Sequence, residues 1–302
     1  MRVVSLLPAA TEIVCALGAG SRLVGISHEC DWPPDVGHLP RVTTTPVDGD
    51  LPSGEIDAAV RAAREEGRPV FGVDADALRE LRPDVLLTQG ICEVCAVSEG
   101  EVRRLSAVLD PVPKVVSLEG RDLAGIWRDV RAVGEILGVD AVAQSLVRRL
   151  RTRLVLLESA TTPLAARRRV VVIEWFDPVF LAGHWVPELV RAAGGADVGA
   201  EPGSPSRECT WAEVAALDPE LIVVAPCGLD LERTRRELDQ VIDPDALALL
   251  SGVPTWLLDG NAFTSRPGPR IVEAAERFRG MLLDHPLPGM ARWAPSSAEL
   301  PS

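Results

Sequence analysis

Residues 122–160 read DLAGIWRDVRAVGEILGVDAVAQSLVRRLRTRLVLLESA and contain no proline. Apolar residues recur at Ile126, Val130, Val133 and Leu137, then at Val142, Leu146, Leu150, Leu154 and Leu157. Spacings of three and four place them on one stripe of an amphipathic helix. Gly134 and Gly138 weaken its middle, so a bend or break is expected near Gly138. Strand-like and helix-like segments alternate on both sides. The stretch therefore predicts an α/β protein of two Rossmann-like lobes joined by a single long backbone helix, with a ligand cleft between the lobes. The boundaries implied are 1–121 for the first lobe, 122–160 for the connecting helix and 161–285 for the second lobe. Residues 286–302, rich in Pro, Ser and Ala, are expected to form a poorly ordered tail.

Working outward, strands are expected at 3–7, 23–27, 70–73, 84–88 and 115–118. Helices are expected at 10–17, 55–66 and 76–81, with a further one running to Leu109. Downstream, 170–174, 221–225 and 255–258 read as strands. The segments 186–193, 210–217, 231–241 and 267–283 read as helices, while 175–185 and 261–266 read as loops. Each lobe should hold a mainly parallel sheet covered on both faces.

The chain has 302 residues, ample for two domains with a sizeable core. A net charge of −13 argues against nucleic acid or an anionic membrane face as partner. No segment reaches the roughly 18 consecutive apolar residues of a membrane span, so insertion is not expected. The N-terminal apolar run is interrupted by Pro8, Thr11 and Glu12, and its start reads as a buried strand. The chain is accordingly expected to be cytoplasmic. Six cysteines are too few for a disulfide framework.

Residues with chemical capacity gather where strands end. His28, Glu29, Cys30, Asp31 and Trp32 follow one strand, and Gln89, Cys92 and Cys95 follow another. In the second half the strand ends carry Glu174, Trp175, Asp177, His184 and Trp185, then Cys227, then Asn261, Phe263 and Arg266. In open α/β sheets ligands bind beyond those ends. Each feature also has a plainer reading. A single Cys92-x-x-Cys95 pair is a weak metal or redox signal, His184 could cap the following helix, and Asp177-Pro178 suits an ordinary turn.

The stretch 5–33, SLLPAATEIVCALGAGSRLVGISHECDWP, resembles the opening of the cobalamin- and iron-siderophore-binding proteins of ABC importers. The closing RPGPRIVEAAE at 266–276 is similar to that family's last helix. The resemblance extends over most of residues 2–285, and within the family it lies nearest a cytoplasmic branch described only as cobalamin-binding. It implies a two-lobed binding protein that closes little on its ligand, with importer subunits as partners.

Two functions follow. In the first, a corrinoid such as cobalamin, or another small-molecule metal chelate, is held in the cleft. Trp32, Trp175, Trp185 and Phe263 would supply apolar contact, and Gln89, Glu174 and Asn261 polar groups. Arg266 would meet a carboxylate or phosphate, and His28 or His184 would approach an axial position of the metal. In the second, a metalloenzyme or metal carrier binds Zn or Fe directly through His28, Cys30, Cys92, Cys95 and His184. Excess thiol and imidazole at the strand ends favours the second, and the family resemblance favours the first.

Overall fold

Short runs of Val, Leu and Ile become strands and the amphipathic runs between them become helices. In the computed structural model, which describes residues 1–91, 97, 99–160, 167–241 and 244–294, these elements form two units. The first contains Met1–Leu51 and Ala58–Arg149, the second Pro52–Asp57 and Leu150–Ser302.

In chain order the first part of the chain carries β1 (Val3–Ser5), α1 (Pro8–Ala16), β2 (Leu23–Ile26), β3 (Thr43–Thr44), α2 (Ser53–Glu65) and β4 (Gly72–Val73). It continues with α3 (Ala75–Leu81), β5 (Val85–Gln89), α4 (Glu99–Ser106), β6 (Lys114–Leu118), α5 (Leu123–Ile136) and α6 (Asp140–Ser159). Four of these strands form a wholly parallel sheet in the order β2-β1-β5-β6. Such a sheet is stable only when buried, and every residue of β1 and β5 is buried. Val4, Leu6, Leu86 and Val102 lie in its core. The pair β3–β4 is a separate antiparallel ribbon.

The stretch 122–160 is two helices rather than one. Asp122 caps α5 by accepting from the Gly125 N–H at 2.6 Å. The helix stops at Leu137, whose carbonyl accepts from Arg22 at 2.5 Å, and the chain turns at Gly138 with φ +66°. That left-handed conformation costs little only for glycine. Gly134 serves a different need, since a Cβ there would collide with the Cβ of Ala143 on α6. The expected break near Gly138 is thus present, and the single long helix is replaced by a corner followed by 20 residues of α6, about 30 Å long. The apolar stripe also shifts at the start of α6. Val142 is 43% exposed, and Ala143, Leu146, Val147, Leu150 and Leu154 take the inner face.

The second unit comprises β7 (Arg169–Phe176), β8 (Val179–Leu181), α7 (Val186–Ala193), β9 (Ala196–Asp197), β10 (Arg207–Cys209) and α8 (Trp211–Ala216). It continues with β11 (Leu221–Val224), α9 (Leu231–Val241), α10 (Pro244–Gly252), β12 (Thr255–Leu258), α11 (Gly260–Phe263), α12 (Ile271–Leu282) and β13 (Met290–Arg292). Its sheet runs β10-β8-β7-β11-β12-β13, with β9 also paired to β7. Only the centre is parallel, because β8, β10 and β13 are antiparallel additions at the edges. The segment read as a loop at 175–185 is instead largely the β7–β8 hairpin. Strand β13 falls within the segment expected to be a poorly ordered tail, and it pairs Leu257 with Ala291. Thr210 starts α8 with a capping box, accepting from the Glu213 N–H while the Glu213 carboxylate accepts from the Thr210 N–H.

Candidate functional site

All four strands of the first unit's sheet are parallel, so their C-terminal ends share one edge. The segment leaving β2 there is fixed by Arg41, which donates to the Ser27 carbonyl at 2.9 Å and to the Cys30 carbonyl. His28 is half-buried on this segment. Its N–H donates to Thr43 Oγ1 at 3.0 Å, and its ring Nδ1 lies 2.6 Å from the same oxygen. Thr43 Oγ1 donates onward to Ser27 Oγ at 3.0 Å. The Phe71 ring stands 5.7 Å from the imidazole, tilted by 35°. Burial, helped by the positive charge of Arg41, lowers the His28 pKa below its ordinary value, so the ring is neutral near pH 7.

Cys30 is buried, with Sγ 3.1 Å from Thr11 Oγ1, and it packs into the unit. Gln89 ends β5, buried and in register with Leu118. Trp32 is 44% exposed. Cys92 and Cys95 lie outside the described residues. Burial raises the thiol pKa of Cys15 to about 11 and also raises that of Cys209, so neither favours the thiolate form.

In the second unit, β7 delivers Glu174 and Trp175, both half-buried. The Trp175 indole N–H donates to the Asp177 carbonyl at 3.0 Å within its own hairpin turn. Trp185 is buried and its indole donates to the Thr264 carbonyl at 2.9 Å. Phe263 is buried beneath the Arg277 guanidinium, which sits 3.6 Å from the ring centroid. Arg266 is only 4% exposed and donates to Asn261 Oδ1 at 2.7 Å. Trp185, Phe263 and Arg266 therefore join the unit's own packing.

His184 has φ +53°, donates its N–H to the Ser204 carbonyl at 2.6 Å and accepts from the Gly203 N–H at 2.8 Å. Helix α7 starts after Trp185, whose side chain makes no cap hydrogen bond. Sequence reasoning missed the partners that hold His28. Thr43 and Phe71 lie far along the chain, on the loop and ribbon, and nothing local signals them. It also missed Asp197, whose Oδ1 accepts from the Gly199 and Ala200 N–H groups at 2.8 and 3.1 Å.

Among the described residues no group of three or more His, Cys, Asp or Glu side chains is placed to hold a metal ion, so direct metal binding by the chain is not shown. Nor is any described helix long and apolar enough to cross a membrane.

The layout of these elements and their sequence place the chain in a known class. A profile described as periplasmic binding protein matches residues 3–253, and the chain belongs to that family. The vitamin B12-binding protein of Vibrio cholerae is 22% identical over 278 residues, covering 91% of this chain and 87% of the relative. A solved periplasmic heme-binding protein from Pseudomonas aeruginosa superimposes with a TM-score of 0.72 at 20% identity, covering 98% of this chain and 99% of that one. An ABC transporter substrate-binding protein from Listeria monocytogenes gives 0.66 at 18% identity, covering 94% and 99%. The fold suggested by residues 5–33 and 266–276 is therefore the class III periplasmic-binding-protein fold. The same findings correct the expected cytoplasmic location, because the family and the Pseudomonas protein are periplasmic by name. An N-terminal apolar run that also serves as strand β1 carries too little information to decide location.

Proposed function

We propose that this protein is the substrate-binding component of an ABC importer for a tetrapyrrole-type metal chelate, a corrinoid or a heme, and acts outside the cytoplasmic membrane. Relatives named for vitamin B12 and for heme align along nearly the whole chain, which supports the chelate class. The observation that carries the reading is His28. It is a neutral, partly buried imidazole at the C-terminal edge of a parallel sheet, where this architecture binds ligands. Both chelates offer a metal with an axial position that an imidazole can take. Trp32, four residues further along the same segment, offers an exposed aromatic face. Importer subunits are the expected macromolecular partners.

The test is titration of the purified protein with hemin, cyanocobalamin, cobinamide, a ferric siderophore and zinc, followed by visible absorption and tryptophan quenching. One tetrapyrrole is expected to bind at 1:1 stoichiometry with dissociation in the micromolar range or below, and with changed visible bands. Failure of every tetrapyrrole to bind would refute the reading, and so would tight binding of zinc alone.

A further inference from the structure

We infer that Thr43 is a positioning residue that holds the His28 ring as its Nδ1–H tautomer and leaves Nε2 as the bare nitrogen facing the ligand. The inference rests on the proposed chelate binding and deepens it, since it selects chelates whose metal has an axial position open to a nitrogen lone pair.

The hydroxyl of Thr43 has one proton and two lone pairs. One lone pair accepts from the His28 backbone N–H at 3.0 Å. The proton goes to Ser27 Oγ at 3.0 Å. What remains for the ring nitrogen 2.6 Å away is the second lone pair, and a lone pair requires the ring to donate. The Thr43 hydroxyl thus asks Nδ1 to carry the proton.

A neutral imidazole carries one proton, so Nε2 is left unprotonated. Among the described residues Nε2 has no protein partner, and His28 is only partly buried. The surroundings are built for a neutral ring. Phe71 stands against one side, and Arg41, bound to the carbonyls of Ser27 and Cys30, opposes a second positive charge. An imidazole fixed through one nitrogen and bare at the other is the arrangement in which a second-shell partner orients a metal ligand. The other tautomer would point an N–H at the metal and could not coordinate it.

Two measurements test this. The first needs no ligand: long-range proton–nitrogen correlation spectra of the 15N-labelled full chain, with His28 identified by its loss in His28→Ala. The Nδ1–H pattern is expected in the wild type at pH 7.5, and an Nε2–H pattern overturns the inference whatever the protein binds. The second uses hemin and diaquocobinamide as probes, comparing wild type, Thr43→Val, Thr43→Ser and Ser27→Ala by visible absorption. Thr43→Val is expected to weaken His28-dependent coordination by about 10- to 100-fold, and Thr43→Ser to restore it. Ser27→Ala leaves the Thr43 proton free to turn toward Nδ1, so the Nε2–H fraction should rise even if Thr43→Val folds poorly. Equal coordination in wild type and a folded Thr43→Val overturns the inference. Absence of any His28-dependent band in the wild type, with the Nδ1–H pattern present, overturns the axial contact and leaves the tautomer finding standing.

Discussion

Replacing Asp197 by Asn should make the protein more stable at alkaline pH while changing little at acidic pH. Asp197 Oδ1 accepts two backbone N–H groups, but Oδ2 is shut from solvent with no hydrogen-bond partner. Burial is the larger influence, and the neighbouring Glu201 carboxylate adds repulsion, so the carboxyl pKa rises from 3.8 to about 7. An acid with a raised folded pKa keeps a proton that the unfolded chain has lost. Between those two values the folded state binds more protons, and stability falls as pH rises through the window. Three pKa units correspond to an upper bound of about 4 kcal/mol, fully developed above pH 7. Asn keeps the Oδ1 acceptor and carries no charge. Urea unfolding at pH 5 and pH 8.5 reads the difference. The variant's advantage over the wild type should grow by about 2–3 kcal/mol between pH 5 and pH 8.5. A variant less stable at pH 8.5, or a difference unchanged between the two pH values, would show that Oδ2 is solvated.

Gly134→Ala should destabilise the chain despite the better helix propensity of alanine, because the new methyl meets Ala143 Cβ. A net loss of about 1–2 kcal/mol in urea midpoints is expected, and a gain would mean that α5 and α6 can part without cost. Phe263→Ala should cost about 3–5 kcal/mol of stability, since the ring is buried and covered by Arg277. Ligand titration of the folded variant separates this from a binding role, and a stable variant that no longer binds would contradict it. His28 has a lowered pKa, so its neutral form persists below the ordinary value of 6.5 and is lost only as pH falls through the lowered one. Chelate absorption bands that depend on His28 should therefore persist at pH 6.5, where an ordinary imidazole would be half protonated. Loss of those bands above pH 6.5 would count against the buried neutral ring.

The fold was legible wherever local pattern and tertiary demand agree. Buried parallel strands read as apolar runs, and the sequence spells β11 that way throughout and opens β1 and β5 with one. Helix ends were legible where a cap or a stop glycine acts locally, as at Thr210 and Gly138. Edges were not. Strands β8, β10 and β13 are three residues each, too short for a period to show, and they exist because a neighbouring strand offers unpaired backbone groups. The register of α6 was misread by one position at its start because Ala143 is small and Val142 is large. Hydropathy favours the valine for the core, while the residue packed opposite Gly134 is the small Ala143.

The same limit governs the site. Sequence places aromatic and cationic residues at strand ends, but it cannot say whether a ring faces a ligand or its own domain. Trp185 and Phe263 were read as a ligand wall, and each is committed to local structure through Thr264 and Arg277. Arg266, read as a partner for a ligand carboxylate, is held by Asn261 in the interior. What remains exposed from the aromatic set is Trp32 on the first unit, with Trp175 half-buried on the second. A ligand site with less free aromatic area draws more of its affinity from coordination and hydrogen bonding, which are directional. Directional contacts need a fixed group, and His28 is one, held at both backbone and ring by a threonine 15 residues away. On the proposed chelate reading, specificity is then set less by the wall than by which nitrogen of one imidazole carries the proton.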